Sequence, residues 1–560
     1  MIALIVLSIT VVFAVAYRSY GRVLARVAGL RDEAVTPACR INDGMDFVPT
    51  SPVLLLGQHF SAIAAAGPIV GPILACLWFG WAPALAWIVL GAVFVGGSHD
   101  FFSLVASLRQ DGRSIGVIIK DHVSPLAYRF FLVFVWLTLI YVIIAFTDIT
   151  AATFKGVVDG EMFGAAVAGS SGLYLLAALV MGLGLRFGRW GTGAVTAVFV
   201  PVVLFIIWAG PHLPLPVLEG LNAVSLKQWD LLILGYCFVA SVIPVWLLLQ
   251  PRGYLGGWLL YLVMAVGLLG ALLSGYPVQF PAFHLEGFKS AVNGGSVFPL
   301  LFITIACGAC SGFHGIVSSG TTSKQIAKES HALPIGMGAM LLEGLVAVLA
   351  VVTVMILPLG SLELTADPNV IYARGIARYL GMLGIDPALA LSFALLAFST
   401  FVYDTLDVCT RLARYIFEEF FHWEGRRGAS FLATAVSLLV PAGFLLSVEG
   451  KGYLIFWTVF GASNQLLASL VLLAITVWLK AKGAGRGIFV TLFPMVFMMI
   501  MTLWALVDIM RPGVLGLWNG GITAEIALKS ASAGVLFVLA IVLTGMALRA
   551  LWPRSQKARG

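Results

Sequence analysis

The stretch FPLLFITIACGACSGFHGIVSSGTTSK, residues 298–324, decides which fold this chain can adopt. It begins as an apolar segment suited to a membrane and loses that character half-way. One helix face collects residues spaced by three or four: Thr304, Cys307, Ser311, His314 and Ser318. Hydroxyl and imidazole groups need polar partners in hydrocarbon, so this face is expected to line a polar cavity inside a helical bundle. An adjoining strip of glycines would let another backbone or a ligand approach closely.

The composition places the whole chain in a bilayer. Of its 560 residues, 60% are hydrophobic and 11% are charged, and the mean hydropathy is +1.02. Soluble domains carry about 25% charged residues. The net charge of +7 comes from short loops between apolar runs, which indicates positive-inside topology rather than nucleic-acid binding. The six cysteines lie in a basic loop or in apolar runs and predict no disulfide framework.

Apolar runs of about 20 residues predict about fifteen transmembrane helices. They lie near 2–18, 53–79, 84–108, 126–147, 164–185, 192–209, 229–249, 257–275, 297–319, 334–358, 386–408, 429–448, 453–478, 487–509 and 526–551. We interpret the first as a retained span, because no basic region precedes it and no cleavage site follows it. The prediction is one integral membrane domain, 1–560, with a core of about 40–480 and peripheral spans at 1–20 and 487–551.

Lys and Arg residues predict the orientation. The loops after odd-numbered spans hold 25 of the 33 basic residues. This bias puts the N-terminus outside and the C-terminus in the cytoplasm.

The second predicted span, 53–79, is interrupted, as is the ninth, 297–319, which contains most of the stretch quoted above. Pro68 and Pro72 each remove a backbone donor, and Gly67 and Gly71 lower the cost of unwinding. Such a break suits a binding cavity, and a Pro-kinked structural helix is the alternative. Spans 2 and 9 cross the membrane in opposite directions, which is typical of an inverted-repeat transporter with two discontinuous substrate helices.

Five titratable residues fall at related depth in these spans. His314 and His99 each precede a basic residue by ten positions, which is about 15 Å along a helix and near the midplane. Glu343, His59 and Asp100 lie at similar depth. Buried charges are costly unless they face one another or water, so the set suggests proton handling. The alternative for each residue is a structural contact between helices.

Other polar positions leave more than one interpretation. Asp407 and Arg411 are four apart and predict a structural ion pair. Asn464 and Gln465 are either interhelical contacts or substrate contacts. The pattern Cys307-x-x-Cys310-x-x-x-His314 offers too few donors for a closed zinc site, so no metal is expected.

Motifs of common enzymes and ATP-driven pumps are missing from the sequence. It shows no nucleotide-binding P-loop, nucleophile elbow or His-Glu-x-x-His helix, so neither an ATP-driven pump nor an enzyme is expected.

Several segments resemble the carbon starvation protein A family of bacterial inner-membrane transporters. They are NDGMDFVPT (42–50), the helix at 59–72, GGSHDF (96–101), QDGRS (110–114), PVWLLLQPR (244–252), 305–324, TLDVCTR (405–411) and FGASNQLLA (460–468). The resemblance implies uptake of peptides or pyruvate, with protons, on a fold related to the amino acid–polyamine–organocation (APC/LeuT-like) transporters. Gln58, Gly253 and Cys310 depart from the family pattern, and the chain ends earlier than the long members, so the substrate can differ.

These observations predict a secondary active importer of small carboxylated nutrients in the bacterial inner membrane. The predicted substrate-binding residues are Gly67, Pro68, Gly71, Cys307, Gly308, Ser311, Gly312, Asn464 and Gln465. The predicted proton-coupling residues are His59, His99, Asp100, His314 and Glu343. Na⁺ coupling is an alternative, with hydroxyl ligands from Ser318, Ser319, Thr321 and Thr322.

A membrane nutrient sensor that binds the same ligand without moving it is the alternative from another class. A channel fits less well, because paired broken helices suit an occluded central site. The expected partners are the bilayer and the small-molecule substrate. No cofactor other than the coupling ion is expected, and the sequence leaves the oligomeric state open.

Overall fold

A computed structural model describes residues 1–156, 163–188, 190–284, 297–448, 452–519 and 521–551. Within these residues the secondary structure is helical, apart from one isolated pairing of extended residues between Thr50 and Ile326. The prediction of an all-α chain is confirmed.

The α-helices are named in chain order. They are α1 Ile2–Ala28, α2 Pro37–Ile41, α3 Pro52–Ile63, α4 Gly67–Phe79, α5 Trp81–Leu90, α6 Gly97–Leu108, α7 Ile115–His122, α8 Pro125–Phe154, α9 Phe163–Arg186, α10 Thr192–Ala209, α11 Leu215–Ala223, α12 Leu226–Val242, α13 Leu249–Leu273, α14 Val297–Thr304, α15 Gly312–Gly320, α16 Ala339–Met355, α17 Pro368–Gly381, α18 Pro387–Phe421, α19 Ala429–Ser447, α20 Gly452–Ala481, α21 Phe489–Asn519 and α22 Ala524–Leu551. Wider π-helical turns join α5 to α6 (Gly91–Gly96) and precede α16 (Leu333–Gly338).

Twelve helices of the described chain, some continued by these short turns, are long and apolar enough to cross a membrane. Two bent pairs reach that length only together: α3 with α4, at 43°, and α11 with α12, at 96°. A polytopic all-helical membrane protein is therefore confirmed, with 12 to 14 candidate spans among the described residues. The helices α14 and α15 lie where the ninth span is predicted, and the count of fifteen stays a prediction.

The junction predicted between spans 7 and 8 is wrong. Helix α12 ends at Val242 and α13 begins at Leu249, so residues 249–256 belong to the second helix. Pro244 explains the early end, because a proline disfavours helical geometry at the residue before it, and Ile243 is extended. The shift brings Arg252 inside the bundle.

Both predicted breaks are present. The second span unwinds at residues 64–66, just before the Gly-Pro repeat, because Pro68 suits the first turn of α4 and Pro72 is accommodated within it. The ninth span unwinds at residues 305–311, between α14 and α15.

The two breaks contact each other through glycines. A Cβ atom on Gly67 would lie 2.4 Å from Sγ of Cys307, and one on Gly71 would lie 2.3 Å from the carbonyl oxygen of Thr304. Gly308, which has a φ of +84°, packs against Ala347 and Pro68. The crossing therefore requires residues without a side chain at these points.

Buried helices surround this crossing. The membrane-length parts of α16, α18 and α20 are almost wholly enclosed, whereas only about a third or less of α1, α10 and α22 is buried. Apolar exposed helices are typical of a lipid-facing periphery.

Candidate functional site

The break in the ninth span is held at both ends by two consecutive amides of α20. The Oδ1 atom of Asn464 accepts the N–H of Phe313 at 2.9 Å and the hydroxyl of Ser311 at 3.2 Å. The Nε2 atom of Gln465 donates to the carbonyls of Phe302 and Ile305, at 3.3 and 3.4 Å. Every helix terminus leaves backbone groups without a partner inside the helix. Asn464 thus accepts a free N–H at the start of α15, and Gln465 donates to free carbonyls at the end of α14.

A carboxylate holds the middle of the same break. Glu343, in α16, accepts the backbone N–H of Gly308 at 3.0 Å through Oε1. Its side chain is fully buried.

The other oxygen of Glu343 begins a chain of titratable groups. Nε2 of His314 lies 3.2 Å from Oε2 of Glu343. Nδ1 of His314 lies 2.8 Å from Oδ2 of Asp100, and Nδ1 of His99 lies 2.7 Å from Oδ1 of Asp100. All four side chains have an exposed fraction of 0%. We call these four residues the titratable chain.

The protonation of this chain follows from its geometry. An ionised Asp100 accepts from both imidazoles, so His99 and His314 carry hydrogens on Nδ1. The 3.2 Å contact between His314 and Glu343 then allows two states: an imidazolium beside a carboxylate, or a neutral His314 beside a protonated Glu343. The states differ in the position of one proton. Two carboxylates this deep are costly unless they are paired or protonated, so the chain can hold and pass protons.

His59 lies apart from direct contact with this chain. Its Nδ1 atom is 2.8 Å from the hydroxyl of Thr322, which links α3 to the segment after α15. Its Nε2 atom has no hydrogen-bond partner among the described residues. The structure thus brings four of the five predicted proton-coupling residues into one hydrogen-bonded and ion-paired chain.

The predicted substrate-binding residues all lie at or beside the breaks. A Cβ atom on Gly312 would lie 2.3 Å from the backbone nitrogen of Ala468, so this glycine, like Gly67 and Gly71, mediates a close contact between helices. Ser311 is bonded to Asn464, whose Nδ2 atom also lies 3.6 Å from Sγ of Cys307. Gly308 and Pro68 pack together at the crossing.

The four hydroxyls of the alternative Na⁺ site have separate environments. Ser319 and Thr321 donate to carbonyls of α15, at 3.4 and 3.0 Å, and Thr322 contacts His59. The hydroxyl of Ser318 is buried without a hydrogen-bond partner in the described part of the chain.

Three ligand-type atoms come together beside the break. Sγ of Cys307 and one ligand atom each from His314 and Glu343 lie within 4.8 Å of one another. The His314 and Glu343 atoms already contact each other at 3.2 Å, so we interpret the group as part of the titratable chain. Cys310 is buried but is not a member of this group.

The structure corrects the predicted Asp407–Arg411 ion pair. Arg411 instead pairs with Asp46 at 3.4 Å and donates to the carbonyls of Ala240 and Ile243 at 2.8 and 2.5 Å. Asp407 pairs with Arg252 and accepts the hydroxyl of Tyr236 at 2.7 Å. Asp407 and Arg411 do lie one turn apart on α18. Each, however, pairs with groups from α12, α13 or the loop before α3 that lie closer to it.

Arg252 is the centre of a buried network that the sequence reasoning missed. Its exposed fraction is 1%, and its Nε atom lies 3.2 Å from Oδ1 of Asp404. Its guanidinium lies over the rings of Tyr403 and Tyr236, at 4.9 and 5.3 Å from their centroids. The hydroxyl of Ser61 donates to Asp404, so the network reaches α3 five residues before Ala66. A signal was present, because Asp404 precedes Asp407 by three positions on one helix face.

The chain matches the family model described as Carbon starvation protein CstA over residues 1–371 and 359–505. The peptide transporter CstA of Campylobacter jejuni is 32% identical over 91% of this chain and 80% of its own length. The peptide transporter CstA of Bacillus subtilis is 31% identical over 96% of this chain and 94% of its own.

The pyruvate/proton symporter BtsT of Escherichia coli is 30% identical over 90% of this chain and 81% of its own. A solved manganese transporter of Eremococcus coleocola aligns with 91% of this chain and 98% of its own, at 14% identity and a TM-score of 0.44. The CstA and BtsT relatives are named as transporters, which points to a non-enzymatic role. The chain, a multi-pass protein of the bacterial inner membrane, belongs to the carbon starvation protein CstA family.

Proposed function

We propose that this protein is a proton-coupled secondary transporter that imports a small carboxylated nutrient, a peptide or pyruvate, by alternating access. The names of its relatives support a transporter and this substrate class. The observation that carries the coupling is the double role of Glu343, which contacts His314 with one oxygen and the backbone of the break with the other.

The proposed architecture has fifteen spans, with the N-terminus outside and the C-terminus in the cytoplasm. The broken segment from α14 to α15 is the ninth span in chain order and raises the count from fourteen to fifteen. The bent α3–α4 pair is the other broken span. Two broken spans of opposite direction that touch at their breaks support an inverted-repeat core of the APC/LeuT type.

The substrate carboxylate would bind at the breaks, near the start of α15, where the helix dipole favours negative charge. Glu343 occupies one backbone donor there, the N–H of Gly308. A proton moved from His314 to Glu343 removes the charge from that acceptor and weakens its hold on the amide. The amide then becomes available to the carboxylate of the substrate, which links substrate binding to proton binding.

Competition in cells tests the substrate class. Uptake of labelled pyruvate is measured in a transport-deficient strain that expresses this protein, with unlabelled dipeptides and tripeptides as competitors. Uptake of pyruvate, or its inhibition by the peptides, supports a carboxylated substrate. The strength of the inhibition ranks the peptides against pyruvate. Ligand binding without uptake or counterflow contradicts transport and favours a sensor.

Uptake by proteoliposomes under an imposed pH gradient, compared with uptake under a Na⁺ gradient, shows which ion is coupled to transport. Accumulation driven by Na⁺ alone contradicts proton coupling.

A further inference from the structure

Two short segments next to the broken spans are joined to each other. One, 46–50, precedes α3, and the other, 324–326, follows α15; we call them the latch segments. The N–H of Val48 donates to the carbonyl of Lys324 at 3.2 Å, and the N–H of Thr50 donates to that of Gln325 at 3.0 Å. This parallel pairing ties together the neighbouring ends of the two helices that carry the breaks.

The start of α13 fastens the pairing. Nε2 of Gln250 donates to the hydroxyl of Thr50 at 3.1 Å and to Oε1 of Gln325 at 2.8 Å. Gln325 and Ile326 have exposed fractions of 1% and 0%, although they lie in a short connection between helices. One side chain thus contacts both latch segments.

The end of α18 fastens them a second time. Arg411 and Tyr415 both contact Oδ1 of Asp46, the former at 3.4 Å. The ammonium group of Lys324 lies 4.2 Å from the ring centroid of Tyr415 and 5.4 Å from that of Phe47. Burial alone would raise the pKa of Asp46, but Lys324 and Arg411 outweigh it and hold that pKa below its usual range. The carboxylate is therefore charged at neutral pH.

We propose that the latch segments, fastened by Gln250, Asp46 and Lys324, hold the transporter closed towards the cytoplasm and must separate before substrate leaves. The latch rests on the proposed function and on the proposed orientation, which places this end of α3 and α15 in the cytoplasm. Its contacts are hydrogen bonds and charged groups that water can replace once the segments separate. Such a contact can open and close within a transport cycle, in contrast to a packed apolar interface.

A reversible cross-link tests the latch. Thr50→Cys and Ile326→Cys place two thiols at the paired positions, in a Cys39→Ser background because Cys39 is the exposed natural cysteine. Oxidation is expected to lower the uptake of labelled pyruvate by proteoliposomes at least about tenfold, and a reductant is expected to restore it. Binding of labelled pyruvate to the solubilised, cross-linked protein is expected to persist, which shows that the fold survives.

A second pair on other helices serves as the control. The hydroxyls of Thr476 and Thr491 are 2.8 Å apart and join α20 to α21 away from the latch segments. Thr476→Cys with Thr491→Cys is expected to cross-link without loss of uptake. Mass spectrometry verifies that the cross-link between the latch segments has formed. The proposal is overturned if this cross-linked protein transports at the rate of the Cys39→Ser parent. A Cys39→Ser parent that takes up neither pyruvate nor peptides contradicts the proposed function itself.

Discussion

His314 and Glu343 face each other across 3.2 Å, and the far oxygen of Glu343 accepts the backbone N–H of Gly308. A titratable pair is thereby attached to the unwound part of a broken helix. Glu343 takes part in both contacts, so a change in its protonation is expected to affect the backbone of the break.

Glu343→Gln tests this attachment. The amide oxygen can still accept from Gly308, but the side chain can no longer take a proton. Uptake driven by a pH gradient is expected to fall to near the background of empty liposomes, while exchange of labelled for unlabelled substrate persists.

The matched control for that variant is Glu363→Gln. Glu363 pairs with Arg378 and is about one-third exposed, far in sequence from the breaks. Its replacement is expected to leave both kinds of transport unchanged. Full gradient-driven uptake by Glu343→Gln is incompatible with a coupling role for Glu343.

Asn464→Ala is expected to lower both stability and transport. It leaves the N–H of Phe313 and the hydroxyl of Ser311 without their partner inside the bundle. An unsatisfied buried group costs about 1–3 kcal/mol, which a shift in the thermal unfolding of the purified protein would report.

Asn369→Ala provides a comparison for Asn464→Ala. Within the described part of the chain, the side chain of Asn369 makes one hydrogen bond, at 3.3 Å to Thr153, and its loss is expected to have the smaller effect. Equal thermal shifts for the two variants contradict the special position of Asn464.

Gly67→Ala is expected to disturb the contact between the two breaks. The new methyl group would lie 2.4 Å from both Cβ and Sγ of Cys307, and overpacking of this kind costs about 1–3 kcal/mol. Cys307→Gly removes both atoms, so the double variant is expected to regain much of the lost thermal stability.

Gly172→Ala is the control for overpacking, because its new methyl group would meet no heavy atom within 4 Å. It is expected to be neutral or slightly stabilising. If Cys307→Gly fails to relieve Gly67→Ala, the two breaks do not meet at these residues.

The partner of Asp407 can be identified by double-mutant cycles. Removing one member of a buried ion pair costs about 3–5 kcal/mol because the other charge remains. Asp407→Asn is therefore expected to be strongly non-additive with Arg252→Met and close to additive with Arg411→Met, measured as unfolding free energies. A larger coupling between Asp407 and Arg411 would restore the pair predicted from helical spacing.

Local chemistry made much of the fold predictable. The length of apolar runs located the spans, and glycine and proline located the two breaks, because both effects act within one helix. Depth along the helices also indicated that His99, His314 and Glu343 share a level, and the structure connects them through Asp100.

Rotation about each helix axis and the choice among distant partners could not be predicted in this way. The apolar runs place Arg252 between two predicted spans, but Pro244 ends the preceding helix early and α13 begins sooner, at Leu249. The sequence allows Asn464 and Gln465 to make either structural or substrate contacts, and in the structure both amides bond to backbone groups beside the break. Such contacts depend on packing between segments more than 150 residues apart.

The most direct measurement is substrate accumulation in proteoliposomes under an imposed pH gradient, for the wild type and for His314→Ala. With an alkaline interior, the wild type is expected to concentrate labelled pyruvate or peptide, and a proton ionophore is expected to abolish this. His314→Ala is expected to lose the response to the gradient. Wild-type accumulation that ignores the gradient, or a His314→Ala variant with unchanged uptake and pH dependence, would contradict proton coupling through His314.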